Sequence, residues 1–425
     1  MIIRTVVLCT LFMATLSNAY QQQSAALLDS LVAAALRDNP QLKAARAQVE
    51  AAKSGRKQAT AWEAPQVGIE FYQAPTGSFP NPFKDQMEYD YFFQQTVPFP
   101  GKLAAMAEAA QSNAEMTRQG YRALENKVIR DLKSAFFELY LVQRKMDIND
   151  ENQALLTRLV EITIRQNAAG IGQQPDILRA QSELSTLVTE RINLSGEEKR
   201  FAAMINTMLS RPADVPIGRL PEIEILPAPW SFVQLQPLAQ ANRAELQAMQ
   251  NNISMRRAEF SLAKKEYYPD LMARLMYKDM ANTAKDFWSA MVSINLPVAF
   301  WSGKKYSAGT EASQMLVRKS EADYDNMRNM ISFEVQDALV KVQTSYNLAS
   351  LYKTTVLQQA EQMLQSTLAA YQTGRTGFLM LIDACRVVLN AKLEYHMAVM
   401  NYMVSTAQLE QAIGLPMEEI RARVH

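Results

Sequence analysis

The sequence predicts a mainly α-helical chain with a small transmembrane β part: a tandem duplication of one helix, two strands and a long helical hairpin. Three observations carry that expectation. An amphipathic segment runs unbroken from Lys102 to Ala168, sequence patterns recur about two hundred residues apart, and four ribbons of residues alternate apolar and polar.

From Lys102 to Ala168 there is no proline, and Gly120 is the only glycine. Apolar residues fall at three- and four-residue spacing, as in Leu132, Phe136, Leu139 and Tyr140, then Leu155, Leu159 and Ile162. At helical rise these 67 residues would reach roughly 100 Å, so the helix needs a partner along its length. After the break Gly170-Ile171-Gly172-Gln173-Gln174-Pro175, Asp176 suits a helix start, and Ile177, Leu178, Leu184, Leu187, Ile192, Leu194, Phe201, Ile205 and Leu209 carry the pattern to Ser210. The two segments read as an antiparallel hairpin with its turn at 169–175.

The hairpin occurs twice. Gly170 followed by Arg179-Ala180-Gln181 recurs as Gly374 followed by Asp383-Ala384-Cys385 at an offset of 204, and Asp131, Leu132 and Ala135 answer Glu334, Val335 and Ala338 at 203. Asn39 answers Asn242, and Pro98 with Gly101-Lys102 answers Pro297 with Gly303-Lys304. The expected divisions are a leader 1–19, a first repeat 20–211, a proline-rich connector 212–237, a second repeat 238–414 and a short tail 415–425.

The leader carries one charge, Arg4, then an apolar run and Ser17-Asn18-Ala19, the pattern of a signal peptide cut after Ala19. Cys9 follows Val6-Val7-Leu8, a poor lipoprotein box, so lipidation is not expected. Removing Arg4 leaves equal numbers of basic and acidic residues, which gives no electrostatic case for nucleic acid. Cys385 is then the only cysteine, which excludes an intrachain disulfide.

The segment Leu27 to Ala61 reads as helix with a break at Asn39-Pro40. Then the period changes to two. Val67, Ile69 and Phe71 alternate with Gln66, Gly68 and Glu70; Met87, Tyr89, Tyr91, Phe93 and Val97 alternate with Glu88, Asp90, Gln94 and Thr96. In the second repeat Leu271, Ala273, Leu275 and Tyr277 alternate with Asp270, Met272, Arg274, Met276 and Lys278, and Trp288, Ala290, Val292, Ile294 and Leu296 with Ser289, Met291, Ser293 and Asn295. Four strands of about ten residues fit the tilted strands of an outer-membrane barrel, with Tyr89, Tyr91, Tyr277 and Trp288 as interfacial aromatics. The alternative is a pair of soluble hairpins whose apolar side packs on the helices. Four strands cannot close a barrel, and open edges are not tolerated in lipid. A membrane location therefore requires several chains: three would supply twelve strands, two would supply eight. The helices then repeat from Gln240 to Tyr268, Lys304 to Thr373 and Phe378 to Gly414.

No catalytic constellation is visible, and neither an enzyme nor a cofactor is expected. His396 and His425 are the only histidines and make no zinc spacing. Gly303-Lys304-Lys305 lacks the earlier glycine of a phosphate loop, and Gly170-Ile171-Gly172 lacks the third glycine of a dinucleotide site.

The duplicated order of elements, together with Gln95-Thr96-Val97-Pro98-Phe99-Pro100-Gly101-Lys102, Asp176-Ile177-Leu178-Arg179-Ala180-Gln181 and Leu381-Ile382-Asp383-Ala384, resembles the TolC-like outer membrane efflux proteins over essentially the whole mature chain. The Pro-Phe-Pro-Gly-Lys turn and the glutamine-rich first tip look most like the heavy-metal branch, the CusC-like and CzcC-like proteins. The resemblance implies a homotrimer whose twelve-stranded β-barrel meets outer-membrane lipid and whose α-barrel crosses the periplasm. Its implied partners are a periplasmic adaptor (membrane fusion) protein and an inner-membrane pump, commonly of the resistance-nodulation-division type. The function it implies is a passive duct for toxic solutes, heavy-metal cations among them. The alternative is a soluble periplasmic coiled-coil scaffold or adaptor without a pore.

By motif position the family's constriction carboxylates fall on Asp176 and Asp383, and its gate tyrosine on Tyr371. A further aspartate position is Met380 here, and the usual arginine is displaced to Arg375. Carboxylates ringed about an axis repel one another and stay closed only with arginine or tyrosine partners. The alternative roles are a helix-capping Asp176 and a solvated Asp383. The tip turns Gly170, Gly172, Gly374 and Gly377 are the implied adaptor contacts. The 23 methionines invite a soft-metal path, with Met272, Met276 and Met291 on the polar side of the strands and His396, Met397, Met400 and Met403 at helical spacing. Gap-filling core is the commoner role of such methionines, and no metal ligand set is assigned.

Overall fold

A computed structural model describes residues 26–72, 76–81, 83, 88–168, 170, 173–280, 285–297, 301 and 303–424. The expected leader 1–19, Met87 and the turn residue Gly172 lie outside the described residues. Helix α1 (26–38) and α2 (Pro40–Thr60) lead into β1 (Gln66–Tyr72) and β2 (Glu88–Val97); α3 (Lys102–Ala168) and α4 (Gln174–Met208) form the first hairpin. Helix α5 (Phe232–Asn242) and α6 (Ala244–Lys265) lead into β3 (Leu271–Met280) and β4 (Phe287–Ile294). The second hairpin is α7 (Gly303–Leu351), a π-turn (Tyr352–Val356), α8 (Leu357–Gln372) and α9 (Phe378–Ile413), and α10 (Met417–Val424) follows.

The order of elements is the expected one, with four differences. Helix α4 starts at Gln174, because Pro175 sits in its first turn where a missing N–H costs nothing; Asp176 therefore lies inside the helix rather than at its cap. The connector is not extended to its end. Gln234 Oε1 accepts from Ser231 N at 3.0 Å and from Ser231 Oγ at 2.9 Å where α5 starts. The second long helix is interrupted by one π-turn, where three β-branched residues meet and the Thr354 hydroxyl donates to the Ser350 carbonyl at 2.8 Å. The tail forms α10, seeded by Glu410 Oε1 accepting from Met417 N at 2.9 Å and anchored by the fully buried Ile420.

Matching pieces of the two repeats assemble together. One compact unit takes the chain up to Ala44, then Arg122–Arg243 and Asn329 onward; the other takes Ala45–Tyr121 and Ala244–Arg328. In the second unit β2 pairs antiparallel with β3, so both β-hairpins join in one sheet of order β1-β2-β3-β4.

In the first unit, α9 packs on α3 through Tyr140 and His396, Lys392 and Glu151, and Lys133 and Glu410, and on α8 through Ala360, Val388 and Ala391. Helix α4 is tied to α3 by Arg191 and Asp150 at 2.8 Å. The connector lies on these helices. Gln143 grips Leu220 N at 2.8 Å, Tyr402 donates to the Leu226 carbonyl at 2.6 Å, and Leu220 and Trp230 are buried. Helices α4 and α7 keep exposed apolar stripes at helical spacing: Leu178, Val188 and Ile192 on one, Phe333, Val340 and Leu351 on the other.

Candidate functional site

Two places carry the expected functional residues: the four-stranded sheet and the turns of the two helical hairpins.

The sheet's register sorts its side chains into two faces. Val67, Phe93, Leu275 and Ala290 stand in one row across the four strands, and Ile69, Tyr91, Tyr277 and Trp288 in the next. Each strand contributes its apolar set to the same face, because a one-residue slip would send the set to the other side. That face is uncovered: Val67 is 75% and Trp288 76% exposed. A soluble cap would bury this face, so the soluble-hairpin alternative fails on this point.

The opposite face is charged and ordered. Arg274 donates to Glu70 Oε2 at 2.8 Å and lies 4.0 Å over the Phe92 ring, while Lys278 bridges Glu88 at 2.5 Å and Asp90 at 3.2 Å. Gly68 makes room for this stack, since a Cβ there would stand 2.6 Å from the Phe92 ring. Met272, Met276 and Met291 are on this face, opposite Thr96 and Ser293, Phe92 and Ser289, and Arg274 respectively. The described residues hold no group of three or more His, Cys, Asp or Glu placed for a metal ion.

Of the four expected interfacial aromatics, Tyr91, Tyr277 and Trp288 are exposed, whereas Tyr89 is half-buried, edge-on to Phe71 at 6.0 Å. Sequence reasoning passed over Trp62, Tyr268 and Trp301, all exposed. Their signal was position: aromatic residues just beyond strand ends.

At the hairpin turns Gly170 (φ +78°) and Gly374 (φ +70°) adopt the left-handed conformation, with open space around each Cβ position, so the backbone alone calls for glycine. Gly377 is the N-cap of α9. Beneath the turns a shared core holds Leu156 and Leu159 of α3, Ala180 of α4, Tyr371 of α8, and Phe378 and Leu381 of α9.

Tyr371 belongs to that core. It is 6% exposed, its ring centroid is 5.8 Å from that of Phe378, and its hydroxyl is 3.4 Å from Thr163 Oγ1. Asp176 is half-buried in the first turn of α4, where the helix dipole favours a carboxylate. Arg375 and Asp383 are exposed, and Met380 is 62% exposed in the first turn of α9. The side chains of Asp176, Arg375 and Asp383 have no hydrogen-bonding or ionic partner among the described residues. Met400 is buried, as a core methionine is.

A sheet with an uncovered apolar face, joined to paired long helices, defines a β-barrel-forming outer-membrane protein with a periplasmic helical part. A model of the outer membrane efflux protein family matches residues 31–204 and 235–415, and the chain belongs to that family. It is 24% identical over 314 residues to the cobalt-zinc-cadmium resistance protein CzcC of Cupriavidus metallidurans, covering 71% of this chain and 72% of that one. It is 22% identical over 375 residues to the cation efflux system protein CusC of Escherichia coli K12, covering 84% and 79%. Among solved structures, the outer-membrane channel OprN superposes with a TM-score of 0.79 at 18% identity over 93% of this chain and 92% of that one.

Proposed function

We propose that three copies of this chain form a passive duct across the outer membrane, gated at the hairpin turns and fed by a periplasmic adaptor and an inner-membrane pump of the resistance-nodulation-division type. The observation that carries this is the sheet. It is apolar and uncovered on one face, charged on the other, and open at both edges, β1 and β4. In lipid those edges must pair with other copies. The exposed stripes on α4 and α7 are a second pair of unlike surfaces, and unlike surfaces meeting head to tail generate a ring.

The side chains of Asp176, Arg375 and Asp383, which have no hydrogen-bonding or ionic partner among the described residues, are available to bonds between copies, as a gate around an axis would require. As a passive duct of the outer membrane efflux family, the assembly takes its driving force from the pump. Heavy-metal cations are the proposed cargo, supported by the likeness to CzcC and CusC. Purified protein in detergent should show the mass of three chains and form discrete channels in planar bilayers. A monomer without channel activity would reject the proposal. Loss of cobalt, zinc, cadmium, copper or silver tolerance on deletion would support the cargo assignment, and unchanged tolerance to all five would reject it.

A further inference from the structure

The helix-side ends of the strands carry a positive excess confined to that side. Segments 53–65, 98–102, 264–270 and 295–305 hold eight lysines and arginines against three carboxylates, whereas the opposite ends, 73–87 and 279–286, hold two lysines and three aspartates. Some of these cations are answered within the chain. Lys102 Nζ pairs with Asp270 at 2.8 Å, and Lys265 Nζ donates to the Gly101 carbonyl at 2.9 Å.

The second repeat lacks the corresponding answer. Lys304 occupies the place of Lys102, but the residue before β1 that matches Asp270 is Pro65. Lys304 and Lys305 open α7, whose first turn has no acidic residue, so they add to the positive end of a helix dipole instead of offsetting it. Lys264 stands at the end of α6, which meets the start of α7 through Tyr267 and Tyr306 at 5.9 Å. Lys264 Nζ lies 4.1 Å over Phe260 and Lys305 Nζ 5.5 Å from the Tyr306 ring centre. None of the three lysines has a carboxylate partner among the described residues; Glu266 is exposed nearby. In the sequence Trp301, 75% exposed, stands between β4 and Lys304, and Tyr268, 50% exposed, between Lys264 and β3; aromatic residues flanking membrane strands in this way meet headgroups.

We infer that Lys264, Lys304 and Lys305 form a surface that holds the phosphate of an anionic phospholipid in the periplasmic leaflet. The three cations have no carboxylate partner among the described residues, and the exposed Trp301 and Tyr268 flank them in the sequence. The location of the strands in the outer membrane supplies the lipid, and the inference is independent of how the turns are gated.

The test uses the detergent-purified oligomer, equilibrated with phosphatidylglycerol or phosphatidylethanolamine, with retained lipid counted by native mass spectrometry. Wild-type protein should retain phosphatidylglycerol preferentially. Each lysine neutralised should weaken retention roughly fivefold at low salt, so K264Q/K304Q/K305Q should lose the preference while its single-channel conductance stays at the wild-type value. Equal retention by the wild-type and triple variants would overturn the inference. So would loss of oligomer heat stability in both the triple variant and E63Q with lipid retention unchanged, because the lysines would then be answered by Glu63 of a neighbouring copy.

Discussion

Lys102 and Asp270, 168 residues apart, close an ion pair at 2.8 Å in which the Lys102 side chain is only 10% exposed. The same carboxylate oxygen accepts Phe99 N at 2.7 Å, and Phe99 stacks on Tyr268 at 4.5 Å. The Pro98-Phe99-Pro100-Gly101-Lys102 turn is thus the joint that fixes the end of β2 and the start of α3 against the start of β3. Asp270→Ala leaves a buried lysine and a backbone N–H without partners, and should cost about 3 kcal/mol. The measurement is the denaturation midpoint of the detergent-purified protein. Asp270→Asn, which keeps an acceptor for Phe99 N, should cost less, and equal losses would show that the charge alone matters.

At the turns, Asp383→Ala and Arg375→Ala should each raise single-channel conductance by removing a proposed bond between copies, while costing no hydrogen bond or ion pair among the described residues. Tyr371 separates packing from gating. Tyr371→Phe keeps the ring on Phe378 and loses only the hydroxyl near Thr163, so its stability should stay within about 1 kcal/mol. Tyr371→Ala opens a cavity in the tip core and should cost 3 kcal/mol or more. A conductance rise in Tyr371→Phe at unchanged stability supports a role in closure; unchanged conductance limits the residue to packing.

His396 gives the helical part a pH dependence. Its ring lies between Tyr140 and Tyr395, with Arg144, Lys392 and Glu151 as the charged neighbours, and burial first, then Arg144 and Lys392, lowers its pKa to about 4. The folded chain binds this proton less readily than the unfolded chain, whose histidine titrates near 6.5. Stability from the neutral ring is therefore complete above about pH 6.5 and is lost as pH falls toward 4, by about 3 kcal/mol. His396→Gln should flatten the thermal stability profile across that window, and an unchanged slope would assign it to other groups.

Gly414 ends α9 at φ +79°, and a Cβ there would stand 2.8 Å from the Asn242 carbonyl oxygen. Gly414→Ala combines left-handed strain with a clash against backbone and should lower stability by about 2 kcal/mol. Gly374→Ala, with open space around it, should carry the strain alone and cost about 1 kcal/mol. Denaturation midpoints that rank the two in the reverse order would contradict this account.

The sequence disclosed most of the fold because its signals are long. The predicted α3 bounds, Lys102 and Ala168, match the structure, and the period-two ribbons placed all four strands within two residues. It did not disclose what depends on pairs of distant residues. Nothing local marks Asp270 as the partner of Lys102, or Thr354 as the site of a π-turn. The order β1-β2-β3-β4 follows from β2 meeting β3 across the repeats, which periodicity does not encode. At the turns, Asp176, Arg375 and Asp383 were assigned by motif position, and their surroundings are not legible in the sequence: their side chains have no hydrogen-bonding or ionic partner among the described residues, and bonds that the proposed trimer would give them leave no pattern in one sequence.

The central claim is that the Val67, Tyr91, Leu275 and Trp288 face meets lipid. A variant retaining Trp288 as its sole tryptophan, reconstituted into vesicles, tests it by quenching with acyl-chain-brominated phospholipid. The account predicts strong quenching of Trp288 by the bromolipid and little by a water-soluble quencher. Quenching only by the aqueous reagent would contradict it.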